Sequence, residues 1–246
     1  ARASVRFMSG QDLPLRGLSW QRPVEVKATR ILQIVVTPHE ADFEIEMISD
    51  DGIHARCRTD HISSKSEENL QIEEIKARSQ DHTAGKIIYP LLRDGGLDYG
   101  PTFQTLGQIW SSLHEAMAEL TLKGTWDGYA LPPGLLDGAL QLVSSVGIVR
   151  NSTDPRPLMP FSLDSIDVYG SLGGDCVAHV VSLGGDRFDI FVGDMTGRVL
   201  VCLRGLGFRR LSDGLDGLFL TTQWRLSPVS AEVRATGEGP VWLISD

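Results

Sequence analysis

The chain has 246 residues, 41% of them apolar, and is long enough to bury a sizeable core as one large or two small domains. Its formal net charge of −9 and the lack of a Lys/Arg run argue against nucleic acid or an anionic membrane as the main partner. No apolar stretch approaches the roughly 18 residues of a membrane span, and the first residues lack a signal-peptide pattern, so we expect a cytoplasmic protein.

The first part of the chain alternates apolar and polar residues in a way that favours strands. A short segment before them, residues 1–8, is typical of the tail of a helix. A polar, charged stretch after them suits a surface linker, and a short helix near Ala84–Arg93 follows it. The predicted strands are Leu15–Trp20, Val26–Thr37, Phe43–Ser49 and His54–Ser63.

The second part predicts strands placed before and after one helix, which together indicate an α+β fold with sheet packed on a central helix. Gly-rich and Asp/Gly turns separate the later strands. The predicted strands are Gln104–Trp110, Glu115–Leu122, Ser165–Tyr169, Asp175–Ser182, Arg187–Val192 and Val199–Arg209.

The central helix is predicted from two prolines followed by apolar residues at helical spacing. Pro132 and Pro133 open it, and a stripe that starts at Leu135 and Leu136 predicts that it is buried. Asp137 and Gln141 interrupt this stripe one turn apart and share a face. A carboxylic acid there is costly unless it is partnered or used. The ordinary alternative is that Asp137 bonds the free amides of the first helical turn.

A tight turn, Gly95-Gly96-Leu97-Asp98-Tyr99-Gly100-Pro101-Thr102-Phe103-Gln104, precedes this helix. Together with Leu135-Leu136-Asp137-x-x-x-Gln141 it resembles the dehydratase domain of modular and iterative polyketide synthases. That family pairs a "GLxYGPxFQ" turn with a "LLDxxxQ" helix in its second hotdog fold. The resemblance extends from about Leu13 to Leu211.

The resemblance implies a tandem, or double, hotdog in which antiparallel sheets each wrap a central helix. The first hotdog is expected to be incomplete, because the chain has no counterpart there to the opening strands and helix of the second. We therefore expect the rest of an N-terminal hotdog over residues 1–64, a linker over 65–94 and a C-terminal hotdog over 95–211. Residues 212–246 resemble the lead-in to a ketoreductase-type region.

The resemblance also implies a chemistry, the elimination of water from a 3-hydroxyacyl thioester, which needs one acid and one base. Asp137 matches the family acid, and desolvation would raise its pKa. Gln141 matches the residue that helps to hold the Asp and the leaving hydroxyl, and Tyr99 matches a tyrosine near the tunnel. Five further residues are expected to shape the turn and the substrate tunnel: Gly100, Pro101, Phe103, Pro133 and Leu136.

The family base is a histidine in an "HxxxGxxxxP" motif of the first hotdog, and we expect it to be missing from this chain. His82-Thr83-Ala84-Gly85 comes nearest among the six histidines, but it has one residue too few between His and Gly. No metal or redox cofactor is expected. Three scattered cysteines without a C-x-x-C pairing suggest neither disulfides nor a zinc site.

The leading hypothesis is therefore a polyketide synthase dehydratase whose substrate is carried on the phosphopantetheine of an acyl carrier protein. Neighbouring synthase domains and a second copy of the chain are the other expected partners. One alternative is a non-catalytic scaffold or docking domain. Another is a dehydratase-like isomerase or cyclase, which Pro132 favours because the family commonly has a histidine there. A stand-alone hotdog thioesterase fits least well.

Overall fold

Eleven antiparallel strands form one continuous sheet in the described part of the chain. The computed structural model describes residues 4–6, 13–26, 29–40, 42–60, 69–151 and 158–210. The strands are β1 (Leu15–Trp20), β2 (Gln33–Pro38), β3 (Phe43–Ser49), β4 (Gly52–Thr59), β5 (Asp81–Ala84), β6 (Leu106–Ser111), β7 (Glu115–Leu120), β8 (Leu158–Val168), β9 (Cys176–Gly184), β10 (Arg187–Asp194) and β11 (Val199–Arg210).

Short helices connect these strands. They are α1 (Ile72–Arg78), α2 (Ile88–Asp94), α3 (Pro133–Gln141) and α4 (Gly147–Arg150), with 3₁₀ turns at Gly85–Ile87, Pro101–Phe103 and Leu142–Ser145. Most strands lie within a few residues of their predicted positions, although β2 starts only at Gln33 and β8 already at Leu158. The predicted lead-in over 212–246 lies outside the described residues.

The order of the strands divides the sheet into two parts. It runs β2-β3-β4-β1-β8-β11-β10-β9-β7-β6-β5, so that β1 pairs with β4 on one side and with β8 on the other. The first four strands carry a small core that includes Leu15, Ile45 and Cys57. The other seven strands carry the larger core, and α3 packs against their β7, β9 and β10.

Small residues let α3 approach the sheet closely. Ala116, Ala118 and Ala178 are fully or almost fully buried on the face that meets the helix. Opposite them, Leu135 of α3 has no exposed surface, and burying a leucine of this kind stabilises the fold by about 2 kcal/mol. The alternation of apolar and polar residues that predicted β7 therefore also supplies the small side chains against which α3 packs.

The segment predicted as a linker over 65–94 belongs in part to this larger core. β5 forms the edge of the sheet, and Ile88 and Tyr89 of α2 are only 7% exposed and lie in the core cluster. α1 packs through a single buried side chain, Ile75, which is 2% exposed. The surrounding polar residues predicted a linker, because a few scattered apolar side chains in a charged segment give little periodic signal.

An ion-pair network fastens α1 to the sheet. Arg78 donates to both carboxylate oxygens of Glu115 in β7, at 2.5 and 2.7 Å. His179 of β9 lies 2.8 Å from the same carboxylate. The hydrogen bond from Arg78 is the main reason that the pKa of Glu115 is lowered to about 2; burial opposes this shift, and the contact with His179 adds to it.

Candidate active site

Helix α3 starts at two prolines and carries Asp137 beyond its first turn. Pro133 is the first helical residue, and Pro132 accepts the amides of Leu135 and Leu136 through its carbonyl oxygen. Proline suits this position because its missing N–H would have no helical partner. Within the described residues no side chain caps the helix start, and the carboxyl of Asp137 accepts from Gln141 instead. The alternative that Asp137 bonds the first-turn amides is therefore wrong.

Gln141, 4% exposed, holds the carboxyl of Asp137. Its Nε2 donates to Asp137 Oδ2 at 2.6 Å and to the Phe103 carbonyl oxygen at 3.1 Å. Desolvation raises the pKa of Asp137, while the hydrogen bond from Gln141 works in the opposite direction. Burial is the larger of the two effects, so the site favours a carboxyl that keeps its proton at a higher pH than usual.

The phenol hydroxyl of Tyr99 is a second hydrogen-bond donor in the site around Asp137. Gln104 Nε2 donates to the Tyr99 carbonyl oxygen at 2.8 Å, which fixes the turn over Pro101–Phe103. The phenol packs against the larger core, and burial, followed by the negative charge of Asp137, raises the pKa of Tyr99. Tyr99 is therefore a neutral hydrogen-bond donor across the pH range in which proteins work.

Asp137, Gln141 and Tyr99 line one cavity of about 840 Å³. Most of its walls are apolar, with side chains such as Leu140 and Phe161, and such surroundings favour the neutral form of an acid. The cavity also extends to four arginines, which are Arg22, Arg150, Arg209 and Arg210.

The five other predicted residues support this site without lining the cavity. Phe103 reaches the site only through its carbonyl oxygen, which accepts from Gln141. Pro133 starts α3, and Leu136 packs against the larger core. Gly100 and Pro101 form the exposed start of the 3₁₀ turn.

His82 is one of the residues that line the cavity, but the alternation of side chains along β5 turns its ring away from α3. It stacks on Trp110 at 5.0 Å between ring centroids, and the two residues are register partners of β5 and β6. Ile109, the next residue in β6, is fully buried in the core under α3. Successive side chains alternate across a sheet, so the His82 ring lies on the face opposite to Asp137.

The other described histidines have partners elsewhere or are exposed. Buried His54 bonds Ser49 and two backbone carbonyls, His179 bonds Glu115, His39 lies 3.6 Å from Glu44, and His114 is exposed. His61 lies outside the described residues. Within the described part of the chain, no hydrogen bond or ion pair joins a histidine to Asp137.

Two supporting residues were missed by sequence reasoning. Thr105 Oγ1 donates to the Gly134 carbonyl oxygen at 3.1 Å, and the Leu106 amide donates to the Tyr89 hydroxyl at 3.0 Å. The available signal was the pair Gly134 and Gly138, one turn apart, because glycines on one helix face permit a close approach. The partners of such a contact are distant in sequence and leave no local pattern.

Three structural observations concern other classes of site. No described helix is long and apolar enough to cross a membrane. The described residues contain no group of three or more His, Cys, Asp or Glu side chains arranged to hold a metal ion. Cys57, Cys176 and Cys202 are all buried free thiols.

Comparison with known proteins gives one consistent family. The family model described as "Polyketide synthase dehydratase N-terminal domain" matches residues 67–217. Polyketide synthase PksN of Bacillus subtilis is 32% identical over 136 residues, which are 52% of this chain and 2% of PksN. Polyketide synthase GfsA of Streptomyces halstedii is 32% identical over 159 residues, 62% of this chain and 2% of GfsA. The chain thus spans about 2% of the length of these relatives.

Solved structures share the fold. The dehydratase domain from the CurK module of curacin polyketide synthase has a TM-score of 0.75 and 22% identity, over 89% of this chain and 82% of that chain. A dehydratase domain of a trans-AT polyketide synthase from Brevibacillus brevis has a TM-score of 0.76 and 22% identity, over 86% of this chain and 83% of that chain.

The sheet packed on a central helix, together with these structural neighbours, defines a hotdog-fold protein, and the predicted α+β class is confirmed. The chain belongs to the polyketide synthase dehydratase family.

Proposed function

We propose that this chain is a dehydratase domain that removes water from a 3-hydroxyacyl thioester carried on an acyl carrier protein, giving an enoyl thioester. The observation that carries the proposal is Asp137, a buried carboxyl whose pKa desolvation raises, on the wall of a largely apolar cavity of about 840 Å³. An acid that keeps its proton at higher pH is what protonation of a leaving hydroxyl requires.

Among the described residues, one of the two carboxyl oxygens has a hydrogen-bond partner. Asp137 Oδ2 accepts from Gln141, so the proton that is transferred belongs on Oδ1. In the elimination a base takes the C2 proton, the C2–C3 double bond forms, the C3–O bond breaks and the Asp137 proton completes the departing water. Tyr99 remains neutral and can donate a hydrogen bond to the substrate oxygen or to Asp137.

The base comes from outside the described residues. None of the described histidines bonds Asp137, and the ring of His82 lies across the sheet from it. In the CurK dehydratase, a His-to-Phe variant and an Asp-to-Asn variant are both described as inactive mutants. A histidine base acting opposite the Asp137 acid is consistent with both.

The surroundings of this domain follow from the same proposal. The relatives are polyketide synthases far longer than this chain, so neighbouring synthase domains form its context. An acyl carrier protein presents the substrate, a second copy of the chain makes a homodimer, and the assembly is cytoplasmic. Acid–base elimination of this kind needs no metal or redox cofactor of its own.

The experiment is mass spectrometry of a synthetic 3-hydroxyacyl pantetheine thioester incubated with the chain and with a longer synthase fragment that extends upstream. We expect the loss of one water in the longer fragment and no loss with Asp137→Asn. Asp98→Asn is the matched control, because Asp98 adjoins Tyr99 but is exposed and paired with Arg93. Unchanged turnover by Asp137→Asn would overturn the assignment of the acid.

One observation favours a second candidate, a non-catalytic scaffold that docks neighbouring domains. It is that no described histidine contacts Asp137. A scaffold predicts no water loss from the longer fragment either, with wild type and Asp137→Asn alike. The isomerase or cyclase alternative needs an existing double bond, so it is tested with an enoyl thioester. From that substrate it predicts a product of unchanged mass, which chromatography separates from the enoyl starting material.

A further inference from the structure

Thr105 places a hydroxyl between the Tyr99 turn and the Asp137 helix. It follows the 3₁₀ turn Pro101–Phe103, precedes β6 and is only 1% exposed. Its Oγ1 donates to the Gly134 carbonyl oxygen at 3.1 Å. Gly134 lies one turn before Gly138, so this bond is made to the helical turn that contains Asp137.

Two glycines form the surface that receives Thr105. A Cβ atom at Gly138 would lie closer to Thr105 Oγ1 than the 3.0 Å that real Cβ contacts respect. A Cβ atom at Gly134 would lie 2.8 Å from the Thr102 carbonyl oxygen. The backbone of α3 is therefore in direct contact with the 102–105 segment at this point, and no side chain of the helix separates them.

The residues beside Thr105 hold the other groups of the site. The Phe103 carbonyl oxygen accepts from Gln141, and Gln104 holds the Tyr99 carbonyl oxygen. Three consecutive residues thus hold the site together. Phe103 bonds Gln141, Gln104 bonds the backbone of Tyr99, and Thr105 bonds the helix that carries Asp137. A shift of α3 relative to this segment would move Asp137 away from Tyr99.

We propose that Thr105 is a positioning residue, whose hydrogen bond to the Gly134 carbonyl fixes the depth and rotation of Asp137 in the cavity. This inference rests on the proposed function. Gly134 and Gly138 have no side chains to hold α3 in place, so without that bond the helix can rotate or slide. The carboxyl of Asp137 then gains access to water. A misplacement of about 1 Å can reduce a rate by up to about a hundredfold.

The first arm of the test measures the site without any turnover. The ¹³C signal of the Asp137 carboxyl, assigned with Asp137→Asn, is titrated by NMR in wild type, Thr105→Val and Thr105→Ser. Valine keeps the shape and removes the hydroxyl, and serine keeps the hydroxyl. We expect Thr105→Val to lower the pKa of Asp137 toward its ordinary value, and Thr105→Ser to keep it raised. The exposed Thr121→Val is the matched control, with no expected shift.

The second arm measures dehydration in the longer synthase fragment. We expect Thr105→Val to lower kcat by about ten- to a hundredfold with KM unchanged, and Thr105→Ser to retain most of the rate. If a folded Thr105→Val variant has the same Asp137 pKa and the same kcat as the wild type, Thr105 does not have the positioning role. A wild-type Asp137 that titrates as an ordinary carboxyl, or an active Asp137→Asn variant, would instead contradict the proposed function.

Discussion

Replacing Gly138 with alanine tests how closely the central helix contacts Thr105. The new methyl group would overlap Thr105 Oγ1, while its other neighbours, Thr105 Cβ and Leu120 Cδ2, would be at an ordinary 3.4 Å. Overpacking of this kind costs about 1–3 kcal/mol. Displacing the Thr105 hydroxyl also loses its hydrogen bond to Gly134, which is worth about 1 kcal/mol.

Alanine also favours the helix over glycine by about 1 kcal/mol. We therefore expect Gly138→Ala to lower the free energy of unfolding by about 1–3 kcal/mol in the wild type. In a Thr105→Ala background the overlapping oxygen is gone, so the same substitution should stabilise the chain by about 1 kcal/mol. The coupling between the two sites should then be at least about 2 kcal/mol.

The assay is a double-mutant cycle from urea unfolding followed by circular dichroism. Gly173→Ala serves as the control, because a Cβ atom there would meet nothing within 4 Å, and its effect should stay within about 0.5 kcal/mol. An equal effect of Gly138→Ala in both backgrounds would refute the contact, because it would mean that the helix does not meet the Thr105 hydroxyl.

Three further substitutions follow from the same structure. Glu115→Gln removes a carboxylate whose pKa Arg78 lowers to about 2, so it should lose about 1–3 kcal/mol of stability at neutral pH. The stability advantage of the wild type over this variant should disappear as the pH falls from about 5 to about 2, which urea unfolding at several pH values measures. If the stabilities of the two proteins change with pH in the same way, the ion-pair network does not stabilise the fold as argued. Gln141→Met removes the hydrogen bond that opposes burial, so the pKa of Asp137 should rise further in an NMR titration, and a fall would refute the argument. Tyr89→Phe leaves a buried backbone amide of β6 without its partner and should cost about 1–3 kcal/mol in urea unfolding, and a neutral result would count against that bond.

The parts of the site that are local in sequence could be predicted. Asp137 and Gln141 are four residues apart in a helix, and that spacing makes their side chains neighbours, which here are joined by a hydrogen bond of 2.6 Å. The prolines and the apolar stripe fixed the start of α3 and its buried face. The Tyr99 turn was recognisable from its glycines and its proline, since these residues restrict the backbone locally.

Contacts between distant residues could not be predicted in this way. Thr105 and Gly134 are 29 positions apart, and Arg78 and Glu115 are 37 positions apart. The polar sequence over 65–94 predicted a linker, although Ile75 is buried and Arg78 of the same helix bonds Glu115 of β7. Whether a segment packs on the sheet depends on a surface that other strands form. The sequence of the segment does not contain that information.

Backbone geometry sets the periodicity of side chains in each element, so most of the strands, the central helix and the acid–amide pair could be predicted from the residues alone. Which groups meet Asp137, and which do not, depends on how these elements pack against each other. The register of β5 on β6 turns the His82 ring to the far side of the sheet, and a shift by one residue would reverse it. That register is set by the packing of the whole sheet, and so is the close approach of Thr105 to the glycines of α3.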